Sequence, residues 1–175
     1  MKFTALPLAL VLAACGGHTK RKVTAVPVPT VAVGDCGSPG KDGVMGASPD
    51  PVHADRDLDG DGAVEVVIAD RTMCTPEGNC YWNVFVPPPD GAADACERFA
   101  GTLAAVALEE SGGHGEDNFV DLRGYWRLTG GGRLLLQEYR FRRGGYQVTD
   151  AILCRREGDD RLLCEEPEGD PMNED

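Results

Sequence analysis

Short apolar runs separated by glycine-bearing turns fill the second half of the chain, a pattern of strands with period-two side chains. Val64–Ala69 is short and β-branched, and Cys80–Pro87 reads CYWNVFVP. Phe119–Leu122 and Tyr125–Leu128 read as two strands flanking Arg123-Gly124. Arg133–Arg142 and Tyr146–Arg155 are separated by Arg143-Gly144-Gly145, a hairpin signal. Alternation in the second of these puts Tyr146, Val148, Ile152 and Cys154 on one face, with Asp150 the exception. Thr129-Gly130-Gly131-Gly132 makes another turn. The fold class is therefore mainly β: an antiparallel β-meander of short strands. Residues 91–110 admit two readings. Asp90 offers an N-cap and Ser111-Gly112-Gly113 a stop, which would frame one helix there. Gly101 and Thr102 interrupt that helix, and Arg98–Val106 reads as a strand. The balance falls on a strand pair with a short helical turn.

Apart from Phe3, every aromatic residue lies between Tyr81 and Tyr146, so the core is expected there. The globular domain is placed at 52–166, long enough for one core and helped by cross-links. Residues 15–51 read as a flexible linker, with Gly at 16, 17, 34, 37, 40, 43 and 46 and no aromatic residue. Lys20, Arg21 and Lys22 within it would meet anionic headgroups or simply be solvated. Residues 167–175 read as an acidic disordered tail.

At 175 residues the chain is too short for a TIM barrel or a full propeller. Its formal charge of −12 argues against nucleic acid as a partner.

The N-terminus changes the picture further. Lys2 precedes an apolar run from Phe3 to Ala14, too short to span a bilayer but suited to a signal peptide over 1–14. That run ends in Leu12-Ala13-Ala14-Cys15, which resembles the lipobox of bacterial lipoproteins. The resemblance implies cleavage before Cys15, lipidation of that cysteine with diacylglycerol and an amide-linked acyl chain such as palmitate, and a membrane anchor. Gly16 and Gly17 follow Cys15, with no Asp to retain the protein in the inner membrane, so the expected site is the bacterial cell envelope at the outer membrane, facing the periplasm or the surface. Loss of 1–14 removes one basic residue, which makes the mature charge −13.

Lipidation of Cys15 leaves six cysteines, an even number in an exported chain, which points to three disulfides. Fifteen pairings are open. Spacing favours Cys74–Cys80 across CTPEGNC and Cys154–Cys164 across a Gly-Asp-Asp turn, which leaves Cys36–Cys96. A zinc site is disfavoured, because no CxxC pair exists and the histidines are scattered.

The richest stretch in chemistry is Asp57-Leu-Asp59-Gly60-Asp61-Gly62-Ala63-Val64-Glu65. Hard divalent cations take several oxygen ligands, and carboxylates at alternate positions of a tight loop supply them. An EF-hand frame fails, because its twelfth position holds Val66 or Ile68 in place of Glu. The frame DxDGDGxxE followed by Val66-Val67-Ile68-Ala69 resembles the calcium loop of FG-GAP and VCBS-like β-repeats. The resemblance implies a structural calcium held by side-chain oxygens of Asp57, Asp59, Asp61 and Glu65 and the carbonyl of Ala63. It covers about 15 residues once, so it supports the loop and not a propeller. The other reading is a solvated acidic turn.

Catalytic constellations are scarce, and the chain reads as no enzyme. His18 lies in the linker, and His53 precedes the acidic loop. His114, Glu116 and Asp117 would form an acid/base or metal cluster or a solvated loop. Neither a GxSxG elbow nor a P-loop is present. Arg133, Arg140, Arg142, Arg143, Arg155, Arg156 and Arg161 would make a patch for an anionic glycan or headgroup, or pair with Glu138 and Asp150. The expected role is a binding or structural module of the envelope, with an envelope protein or glycan as partner. The alternative is an envelope-polymer hydrolase or hydrolase inhibitor.

Overall fold

The computed structural model describes residues 23–28, 36, 48–88, 96–158 and 161–165. Within them the chain forms nine strands: β1 Pro51–His53, β2 Val66–Asp70, β3 Cys80–Val86, β4 Arg98–Ala105, β5 Ala107–His114, β6 Val120–Arg127, β7 Arg133–Arg142, β8 Gly145–Glu157 and β9 Arg161–Cys164. They make two antiparallel sheets in chain order, β1-β2-β3-β4 and β5-β6-β7-β8-β9. The mainly β, meandering architecture expected from the pattern is what the chain adopts. The helical turns among the described residues are two 3-10 turns, Arg71–Met73 and Glu116–Asn118. No helix among the described residues is long and apolar enough to cross a membrane.

A helix at 91–110 is not formed where the chain is described: β4 and β5 occupy 98–105 and 107–114, while 89–95 lie outside the described residues. The two strands do not pair with each other. β4 pairs with β3 and β5 with β6, so the chain crosses between sheets at Val106. The reason lies in burial. β4 is buried from Phe99 to Ala105, and Gly101 lets it approach the facing sheet, where a Cβ would stand 3.1 Å from the carbonyl oxygen of Tyr146. A strand buried on both faces loses the alternation that would tell it from a helix.

Two finer expectations also change. Arg123-Gly124 is no break, because β6 runs through it without interruption. Gly124 faces the ring of Tyr139, whose Cε2 would stand 3.0 Å from a Cβ there. In β8 the alternation shifts phase, since Glu138 pairs with Asp150 but Tyr139 pairs with Val148. This bulge places Ile152 and Cys154 on the side of Leu136 and Leu134, opposite to Tyr146 and Val148. Asp150 is no exception to the pattern; it is where the phase changes.

The core lies between the sheets. Phe119 and Phe141 stack at 3.9 Å between centroids, and Tyr146 meets the ring of Phe141 edge-on at 5.3 Å. Leu58, Val84, Leu103, Leu122 and Tyr139 close around them, all at most 1% exposed. Trp82 is buried and donates its ring N–H to the Ala105 carbonyl at 3.1 Å, so its polar edge is satisfied.

Three disulfides join Cys36–Cys96, Cys74–Cys80 and Cys154–Cys164, with Cα separations of 5.5, 4.4 and 3.9 Å. The last pair sits directly across β8 and β9. The domain also holds parts of the stretch read as linker. The Val26 N–H donates to Gln137, and Cys36 forms a β-bridge with Arg98.

Candidate metal centre

The acidic loop hangs between β1 and β2 and is closed at its neck. Arg56 and Glu65 form an antiparallel bridge, with N–H to carbonyl distances of 3.3 and 3.0 Å in the two directions. Asp55 braces the neck by accepting the Val67 N–H at 2.9 Å. Inside the neck each Asp folds the backbone around itself, as short acidic side chains do in turns. Asp57 accepts the N–H groups of Gly60 at 2.7 Å and Gly62 at 3.1 Å. Asp59 accepts from Asp61 at 3.0 Å, and Asp61 accepts from Ala63 at 2.7 Å. Gly60 and Gly62 take left-handed φ values of +79° and +92°, which other residues reach at a cost.

The result brings Asp57, Asp59 and Asp61 together, with one carboxylate oxygen of each within 4.8 Å of the others. Glu65 is not part of that trio. It is buried beneath the loop at 1% exposure, where its Oε2 accepts the Leu58 N–H at 2.6 Å and its Oε1 has no partner among the described residues. Burial pushes its carboxyl up to about 6, and the Asp59 and Asp61 charges push the same way. Burial also raises Asp59, and the charges of Asp61 and Asp57 add to that. The Ala63 N–H is the one taken by Asp61. Chemically the loop offers a cluster of hard carboxylate oxygens, the ligand type that hard divalent cations take.

Sequence spacing missed the second support of this loop. Asn118, on the turn between β5 and β6, donates to the Asp59 carbonyl at 2.7 Å, and the Val120 N–H donates to the Leu58 carbonyl at 2.8 Å. Both reach across about sixty residues, and no local pattern marks them. Asp117 and Asn118 have positive φ, 53° and 65°, which is the one local sign of a constrained turn.

The other candidates separate in space or in role. Cys15 and its lipobox lie outside the described residues. His53 contacts Asp55 at 3.0 Å beside the neck, away from the Asp trio. His114 ends β5 opposite Val120, while Glu116 accepts the Arg143 N–H at 2.5 Å and so caps the β7–β8 turn. The arginines do not form a single patch. Arg140 pairs with Asp121 at 2.5 Å, and Arg123 pairs with Glu138 at 2.7 Å, across neighbouring strands. Arg133, Arg155 and Arg156 collect at the other end of the sheet. Tyr81 and Trp126 make a half-exposed ring pair with centroids 5.4 Å apart.

In comparisons with known proteins, no family model, no curated protein and no solved structure matches this chain.

Proposed function

We propose that this chain is a calcium-stabilised lipoprotein of the bacterial envelope, anchored at Cys15 in the outer membrane and acting as a binding or structural module. The observation that carries the ion is the convergence of Asp57, Asp59 and Asp61 to within 4.8 Å on a loop that their own side chains fold. Three carboxylates so close repel one another, and Glu65 beneath them carries a buried oxygen with no partner among the described residues. A divalent cation relieves both costs. The anchor rests on the Leu12–Cys15 motif and on three disulfides, which belong to an exported chain.

The two parts are tested separately. Extracellular calcium modules bind at about 10⁻⁴–10⁻³ M. Millimolar calcium should therefore raise the melting temperature above that in EDTA, and Asp59→Asn should abolish the difference. Superimposable melting curves would remove the ion from the reading. For the anchor, the mass of the N-terminal peptide from the native host should show a diacylglyceryl group on Cys15, and Cys15→Ser should release the protein from membranes. An unmodified Cys15 would refute the anchor and leave the ion standing.

A further inference from the structure

We infer that the domain is moored at the headgroup surface of the membrane that holds its anchor, with residues 23–28 as the mooring. The membrane side of this inference rests on the anchor proposed at Cys15; the mooring does not.

Composition makes 15–51 one long linker, but the chain is fixed to the domain well before residue 51. Val26 gives its backbone N–H to Oε1 of Gln137 at 2.7 Å. Gln137 is fully buried, and its Nε2 donates to the Ala104 carbonyl at 3.0 Å and the Tyr139 hydroxyl at 2.8 Å. The receiving amide is therefore held in place before the segment reaches it. The segment lies against protein along its length: Val23, Ala25, Val26 and Val28 are half-buried, while Thr24 and Pro27 are exposed. Pro27 fixes its own φ and favours extended backbone at Val26, which lowers the entropy lost on docking. A second pin follows at Cys36, which forms a β-bridge with Arg98 and a disulfide with Cys96.

The chain left between lipid and domain is short. Val23 is eight positions from Cys15. Whatever path they take, eight residues reach at most about 29 Å. As a flexible coil they span about 16 Å. A domain of this size is itself about 35 Å across, so the tether is shorter than the body it holds. A free linker to Pro51, 36 positions from Cys15, would instead span about 33 Å as a coil. Lys20, Arg21 and Lys22 all fall between anchor and mooring. They place positive charge between anionic headgroups and a chain of formal charge −12, which opposes repulsion of the domain from the surface.

The test is neutron reflectometry on the mature chain, coupled through the Cys15 thiol to a maleimide lipid in a supported bilayer. The other six cysteines are paired, so Cys15 is the thiol that couples. The gap between headgroups and domain should be about 16 Å or less. Val26→Pro removes the donated N–H and should free the chain as far as Cys36, 21 positions from the anchor. The gap should then widen to about 25 Å. An insertion of about twenty glycine and serine residues after Lys22 leaves the mooring intact and should widen the gap to about 29 Å. This second variant keeps the test decisive should Val26→Pro fail to fold. A parent gap of about 25 Å or more, or a gap that either change leaves where it is, overturns the proposal. An unmodified Cys15 in the native host removes the anchor reading alone, because the maleimide coupling measures the mooring without native lipidation.

Discussion

The backbone N–H of Val26 donates to Oε1 of Gln137 at 2.7 Å, across 111 positions of sequence. Gln137 is fully buried, and its Nε2 donates to the Ala104 carbonyl at 3.0 Å and to the Tyr139 hydroxyl at 2.8 Å. One amide group thus ties residues 23–28 to β4 and β7. Replacing it with an apolar group strands the Val26 N–H, and an unsatisfied polar group costs about 1–3 kcal/mol. Gln137→Leu should lower the melting temperature and raise hydrogen exchange at Val26 to the rate of an open chain. Unchanged protection at Val26 would show that something else holds the segment.

Glu65 predicts a pH dependence of defined sign. Burial raises its carboxyl from 4.5 to about 6 in the folded chain. The folded state therefore binds this proton more tightly than the unfolded state does. The contribution is fully present below pH 4.5 and is lost as pH rises through about 6, a change on the order of 2 kcal/mol. In EDTA, Glu65→Gln, a neutral side chain of the same shape, should remove that slope. Denaturant unfolding of both proteins at pH 4.5 and 7 checks it: the variant should gain on the parent as pH rises. Parallel curves would count against the buried carboxylate.

The strands with clean alternation or a glycine turn beside them were readable from residue order, because those signals are local. Arg143-Gly144 is one such case, with φ of +54° and +81° in a two-residue turn. The number of disulfides followed from the even cysteine count, and short spacings favoured two of the three pairs the fold forms, while the third joins residues 60 positions apart that no local signal marks. β4 was ambiguous because both its faces are covered. The phase shift at Asp150 and the docking of Val26 on Gln137 were hidden, because each depends on a partner far away in sequence. The Asp57–Asp61 cluster followed from spacing, but the separate, buried position of Glu65 depends on Leu58 and on the facing sheet. Arg127 donates to the Glu77 carbonyl and is held by Asn79, contacts 50 and 48 positions apart in sequence, so neither stands out in the chain.

The cross-links should rank by the loop each closes. Cys36–Cys96 spans 60 positions and Cys74–Cys80 only 6. On the chain-entropy model the first contributes about 4 kcal/mol and the second about 2. The paired Cys36→Ala and Cys96→Ala protein should unfold at a lower denaturant concentration than the paired Cys74→Ala and Cys80→Ala protein. The reverse order would mean that native-state contacts, not loop closure, set the contribution.

Gly115 links β5 to the turn that carries Asn118, and it sits against the backbone of β7. A Cβ there would lie 2.8 Å from the Phe141 nitrogen and closer still to the Phe141 carbonyl oxygen. β7 cannot yield there, because Phe141 is paired with Tyr146 of β8 and is fully buried. The Gly115 N–H also donates to the Phe119 carbonyl at 2.7 Å, which sets the path of the turn below the acidic loop. Gly115→Ala should therefore cost about 3 kcal/mol, the upper end for overpacking. Gly112→Ala is the matched control: its φ is +81° but a Cβ there meets nothing within 4 Å, so only backbone strain of ~1 kcal/mol applies. Denaturant midpoints of the two variants decide the matter. Equal losses would show that the β5–β6 turn moves aside, and with it the support that Asn118 gives to Asp59.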